Sequence, residues 1–218
     1  MSKGPFTISI SALKGGVDKS ILAVTVGCGF HRAGRKTLLV DADSQGTLRT
    51  WAGKGEGNDI PPVVAMDGRN LARDLARVGA AYELAVVDTP ARLAAEARTA
   101  MAVADLVLLP ASRGPAGLWA LEETLGTLAE ARGLRPDLLA YVVANRMGHT
   151  HLAELTRERL AELDVPVLEA SLGDRVAFDE AMGAGMDVVD YMPGSEAARE
   201  AKELTRELTK IITKGKRR

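Results

Sequence analysis

The stretch Leu13-Lys14-Gly15-Gly16-Val17-Asp18-Lys19-Ser20 decides how the rest of the chain is read. It follows an apolar run, Phe6 to Ala12, and precedes an apolar helical pattern from Ile21 to Phe30. A glycine-rich turn between a strand and a helix lets backbone amides wrap a phosphate that the helix N-terminus faces. Gly15 and Gly16 remove side chains where the backbone must approach the anion. Lys19 supplies a point charge to the β- and γ-phosphates, and Ser20 a hydroxyl ligand for Mg²⁺. Lys14 is a second lysine, at the start of the loop. Asp18 departs from the pattern, because a loop of this kind normally carries glycine directly before its lysine.

Working outward, short apolar runs alternate with longer helical patterns. Strands are expected at 6–11, 37–41, 62–66, 83–88, 105–110, 138–144, 165–169 and 187–190, and helices at 19–32, 46–51, 70–78, 91–103, 114–132, 151–163, 176–184 and 195–213. Runs such as Leu84-Ala85-Val86-Val87 and Leu106-Val107-Leu108-Leu109 are apolar at every position, as strands buried on both faces are. The fold class expected is therefore α/β: a doubly wound, mostly parallel sheet flanked by helices, with ligands at the strand C-terminal ends. With 218 residues there is room for one sizeable domain, assigned to 1–213, followed by a basic tail at 214–218.

Composition narrows the partners. A formal net charge of -1 gives no global attraction to nucleic acid or membrane, so any such contact needs a local patch. The single cysteine, Cys28, forms neither an internal disulfide nor a zinc cluster and fits a reducing, cytoplasmic setting. The start, Met1 to Pro5, lacks the apolar core of a signal peptide, and no apolar run approaches the ~20 residues of a membrane span.

Two acidic sites join the loop. Asp41-Ala42-Asp43-Ser44-Gln45-Gly46 ends one strand, and Asp88-Thr89-Pro90 ends another, so a parallel sheet puts both on the rim that carries the loop. There Asp88 is placed to hold a water of the Mg²⁺ shell, and Asp43 to orient or deprotonate an attacking water. Taken singly, such aspartates read equally well as helix N-caps. Taken together, Lys14-Gly15-Gly16-x-x-Lys19-Ser20, Asp41-x-Asp43-x-Gln45-Gly46 and Asp88-Thr89-Pro90 resemble the ParA/MinD family of ATPases with a deviant Walker A motif. Leu48-Arg49-Thr50-Trp51 and the small size further resemble the short ParF-like members. With Lys14 so near the start, the N-terminal DNA-reading domain of longer ParA proteins is not expected.

The resemblance implies a P-loop ATPase of DNA partitioning, cytoplasmic and nucleoid-associated, with ATP or ADP and Mg²⁺ as cofactors. It implies an ATP-dependent sandwich dimer that binds non-specific DNA and is stimulated by a ParB-like or other adaptor. It also implies nucleotide contacts from Gly15, Gly16, Val17, Asp18, Lys19, Ser20 and Ile21. Catalysis would rest on Lys14 acting across the dimer, Lys19 in cis and Asp43, with Ser20, Asp43 and Asp88 about the metal. Asn145 and Arg146 are similar to the family's adenine-contacting segment, although a simple strand-end turn reads as well for Arg146.

Two residues depart from the family: Asp18 stands for glycine and Ile21 for the usual threonine. A Cβ at position 18 crowds the β-phosphate. At ~4 Å and an effective dielectric of ~20, the carboxylate would repel each unit of phosphate charge by about 4 kcal/mol. Alternatively Asp18 pairs with Lys19 or Lys14 and silences them, or turns outward and is tolerated. Weak or absent ATP binding is the expectation. Two further readings stay open: a nucleotide-deficient interaction module of the same fold, and a MinD-like positioning ATPase for another cargo. The last helix, with Leu204, Leu208, Ile211 and Ile212 on one face, reads as packing on the sheet rather than as a membrane anchor, because Glu200, Glu203 and Glu207 oppose anionic lipid. His149 and His151 read as helix-end polar residues, Trp119 as a packing or dimer-surface residue, and the basic tail as solvated or as a contact to phosphate backbone.

Overall fold

The computed structural model describes residues 4–91, 94–148 and 150–215. His149 and the tail residues Lys216, Arg217 and Arg218 lie outside the described residues. Six strands, β1 (Phe6–Ile10), β2 (Thr37–Asp41), β3 (Val63–Ala65), β4 (Leu84–Asp88), β5 (Leu106–Ala111) and β6 (Leu139–Ala144), form one sheet in the order β3-β2-β4-β1-β5-β6. Every pairing is parallel. Helices α1 (Lys19–Arg32), α2 (Thr47–Lys54), α3 (Leu71–Val78), α4 (Ala94–Val103), α5 (Pro115–Leu134) and α6 (His151–Ala161) follow the strands. The chain closes with α7 (Val176–Gly183), α8 (Val188–Tyr191) and α9 (Glu196–Gly215).

The unbroken apolar strands are explained by burial on both sides. Ile8, Ile10, Leu39, Val86 and Leu108 join one core with Leu22 of α1 and Leu204, Leu208 and Ile212 of α9. The alternate residues face the opposite layer: Val40 and Val87 meet Leu71 and Leu75 of α3, while Val107 and Leu109 meet Leu121 and Leu128 of α5. This is the doubly wound arrangement, in which successive side chains of one strand enter different layers. Helix α9 lies against α1 so closely that a Cβ at Gly29 would stand 2.1 Å from the Thr205 hydroxyl. Its apolar face is thus consumed by packing, and among the described residues no helix is long and apolar enough to cross a membrane.

Two expected strands are absent from the sheet. Segment 165–169 makes only one bridge, Val142 to Val167. Pro166 has no N–H to give, and after the Leu168 amide has bonded the Val142 carbonyl at 2.9 Å the chain turns to α9, where Glu207 accepts from the amides of Glu169 at 3.0 Å and Ala170 at 2.8 Å. Segment 187–190 is not a strand but the turn of helix α8. Asp187 starts it as an N-cap, accepting from the Val189 amide at 3.4 Å, and the Tyr191 amide donates to the Asp187 carbonyl at 2.9 Å.

Candidate functional site

The rim is built by register. Ile10 of β1 and Asp41 of β2 both lie opposite Asp88 of β4, so the loop after β1 and the two acidic strand ends meet at one place. The Thr89 hydroxyl donates to the Ile10 carbonyl at 2.8 Å and fastens β4 to the start of the loop. The loop is pinned from both sides. Its Leu13 amide donates to the Thr124 hydroxyl of α5 at 3.2 Å, and its Val17 carbonyl accepts from the Asn145 side-chain amide at 2.9 Å.

Between those pins the backbone is shaped for an anion. Gly16 (φ 77°) and Asp18 (φ 56°) both take the left-handed conformation, and an added Cβ at Gly15 or Gly16 would meet nothing within 4 Å. Helix α1 begins with no side-chain cap and no acidic residue in its first turn. Its leading amides and the positive end of its dipole are therefore available to a phosphate.

The chemical side chains converge beside this opening. The Ser20 hydroxyl donates to Asp88 Oδ2 at 2.5 Å, whereas Asp88 Oδ1 is buried and has no hydrogen-bond partner among the described residues. Burial pushes the Asp88 carboxyl up to about 7, against the opposing pull of the Ser20 hydroxyl and the Lys19 charge. A cation at this place would supply what the orphaned oxygen lacks, so a hydroxyl and a carboxylate suit Mg²⁺. Lys19 is buried, which lowers its affinity for the proton, although Asp88, Asp43 and Asp18 oppose the shift. Its Nζ rests at 3.5 Å from the Lys14 carbonyl. Lys14 is exposed and its Nζ donates to the Ala116 carbonyl, in the first turn of α5, at 3.3 Å.

Asp43 is half-exposed, and its Oδ1 is engaged by the Gln45 amide at 2.9 Å. The carboxylate that fixes this segment is Asp41, which sequence reasoning left without a part. It is buried and accepts from the amides of Asp43 (3.2 Å) and Arg49 (3.1 Å), and from Arg49 Nε at 3.2 Å. Its place as the last residue of an apolar strand, two before a second aspartate, was the available signal. Ile21, in the first turn of α1, packs against the core, and Trp51 is buried within it. Trp119 is 67% exposed.

The Asp18 carboxylate, for which Lys19 and Lys14 were the expected partners if it paired at all, pairs instead with the guanidinium of Arg146, two residues beyond the end of β6. Arg146 itself has a positive φ of 51° and reaches Asp179 of α7 at 3.1 Å and Asp174 at 3.4 Å.

The model of the CobQ/CobB/MinD/ParA nucleotide binding domain matches residues 8–188. The chain belongs to this family. Among its relatives, maintenance of carboxysome distribution protein A of Halothiobacillus neapolitanus is 31% identical, over 97% of this chain and 98% of that protein. The chromosome-partitioning ATPase Soj of Thermus thermophilus is 27% identical, over 92% of this chain and 94% of its own. For the fold, the septum site-determining protein MinD of Pyrococcus horikoshii, solved with Mg-ADP, superposes with a TM-score of 0.73 at 21% identity. That match covers 96% of this chain and 98% of that one.

Proposed function

We propose that this chain is a ParA/MinD-type ATPase that binds Mg²⁺-ATP on the 13–20 loop and acts as an ATP-dependent dimer to distribute a large cellular cargo. The observation that carries the nucleotide site is the Ser20–Asp88 pair with its orphaned buried oxygen, set beside Lys19 at the uncapped start of α1. In this reading Gly15, Gly16 and the backbone from Val17 to Ile21 cradle the phosphates and Lys19 neutralises them. Ser20 and Asp88 hold the metal, which lends charge to the phosphate oxygens when bound. Asp43 orients water and Lys14 reaches the phosphates of the second copy. Asn145, whose amide is spent on the Val17 carbonyl, acts by holding the loop in shape.

The cargo is argued from likeness. A relative named for carboxysome distribution matches over almost the whole of both chains, which favours a protein-bounded body as cargo. A second reading, partition of DNA with a ParB-like adaptor, draws support from the relatives named Soj and ParA at 27% and 28% identity. In either case non-specific DNA is the proposed track.

The test is light scattering and phosphate release on the purified chain with Mg²⁺-ATP, with and without random-sequence DNA. Dimerisation with ATP, retention on DNA only in that state, and loss of both in Lys19→Ala are expected. A folded chain that neither dimerises nor hydrolyses would leave the interaction-module reading in its place.

A further inference from the structure

An acidic residue in a phosphate loop needs an account. Asp18 stands directly before Lys19, yet among the described residues neither loop lysine bonds to it: Lys19 Nζ turns to the Lys14 carbonyl and Lys14 Nζ to the Ala116 carbonyl. The partner of Asp18 comes from 128 residues away, as Arg146 Nε. The contact is sheltered on the loop side, where the Asp18 side chain is 16% exposed, and open on the Arg146 side, at 37%. Arg146 is itself braced, with its terminal nitrogens on Asp174 and Asp179, while Arg113 takes the other oxygen of Asp174 at 2.6 Å. Three carboxylates, those of Asp18, Asp174 and Asp179, thus share Arg146.

We propose that Arg146 is a positioning residue for the phosphate loop: it sequesters the Asp18 carboxylate, so that Lys19 stays unpaired and the loop stays able to take an anion. The proposal rests on the nucleotide-site reading above. Its physical basis is a competition among fixed charges. Without the guanidinium, Asp18 is an uncompensated carboxylate one residue from the lysine that must meet phosphate, and it either takes that lysine or repels the ligand. Asp174 and Asp179 would add to the negative field. With the guanidinium in place, the charge at position 18 is cancelled where it stands. Arg146 should therefore matter to nucleotide binding through Asp18, and not through a contact of its own.

That dependence is what a double-mutant cycle measures. Mg²⁺-AMPPNP is titrated calorimetrically into the full chain and into Arg146→Ala, Arg146→Lys, Asp18→Gly and the double variant Asp18→Gly/Arg146→Ala, each first shown to be folded by thermal melting. Arg146→Ala should weaken binding by about tenfold or more in the parent and by less than about threefold in the Asp18→Gly background. Arg146→Lys, which keeps a cation for Asp18, should recover most of the loss. Equal losses in both backgrounds would show that Arg146 contacts the nucleotide itself, and would overturn the proposal while leaving the nucleotide site intact. Binding by the two Asp18→Gly proteins alone would show that Arg146 fails to offset the carboxylate, and would overturn it too. No binding by any folded variant would remove the nucleotide-site reading and the proposal with it.

Discussion

Asp88 carries the largest unmet electrostatic demand at the rim, because one oxygen holds the Ser20 hydroxyl and the other is buried with nothing to accept from. Burial raises its carboxyl from 3.8 to about 7. Between those values the folded chain keeps a proton that the unfolded chain has released, so the unfolded state gains on the folded one as pH rises. We predict that the stability of the nucleotide-free protein falls between about pH 4 and pH 7, with a slope of at most ~1.4 kcal/mol per pH unit from this group, and that this contribution levels off above it. Urea unfolding across that window checks it, and Asp88→Asn, which cannot ionise, should flatten the slope. A variant with the parent's slope would assign the effect to other groups. At this scale the sequence told which residues the loop and the strand ends bring to one rim, among them Lys14, Lys19, Ser20 and Asp88. It was silent on Arg146 as the partner of Asp18. No spacing rule joins a loop residue to a turn 128 positions later, and the choice between three nearby cations is made by the fold.

Elements were legible where the local signal and the tertiary role agreed. Strands β4 and β5 are apolar at nearly every position, and the sheet buries them on both faces. The failures at 165–169 and 187–190 share a pattern: β-branched residues there suggested strands, but a side chain from a distant helix or a local cap takes backbone amides at the end of the first segment and the start of the second. Glu207 of α9 is the clearest case, since both its oxygens accept from backbone amides of the 165–170 segment. Removing it leaves two donors to solvent or to nothing. We predict that Glu207→Ala costs about 1–2 kcal/mol in denaturant unfolding, and that Glu207→Gln, which keeps one accepting oxygen, costs less. Matching losses for the two variants would show that the charge of Glu207, rather than its acceptors, holds the segment. Glu200 performs the same service two turns earlier in α9, accepting from the Gly173 amide at 2.9 Å and from Arg175 at 2.7 Å. Helix α9 thereby fixes the segment that presents Asp174 to Arg146, so an element remote from the loop helps to set the charge balance beside it.

Across the whole molecule, the rim faces outward together with the N-terminal turns of α5. Lys14 reaches the carbonyl of Ala116, and Trp119 lies one helical turn further along the same helix, largely exposed. A large exposed aromatic near an exposed lysine that, among the described residues, makes no ion pair suits a face closed by a second copy. The other tryptophan, Trp51, is buried in the core with its indole N–H on the Met186 carbonyl at 3.1 Å, so it makes a steady internal reference. We predict that Mg²⁺-AMPPNP shifts the tryptophan emission to shorter wavelength and protects it from iodide quenching, as Trp119 leaves water. Lys14→Ala should keep the parent's stability within about 0.5 kcal/mol, as surface substitutions do, yet show neither the shift nor a dimer by light scattering. Trp119→Ala should lose the optical signal while Trp51 emission stays unchanged. If Lys14→Ala dimerises and shifts as the parent does, the lysine does not act across the interface. If the parent dimerises with no change at Trp119, the two copies meet on another face and the N-terminal turns of α5 remain in solvent.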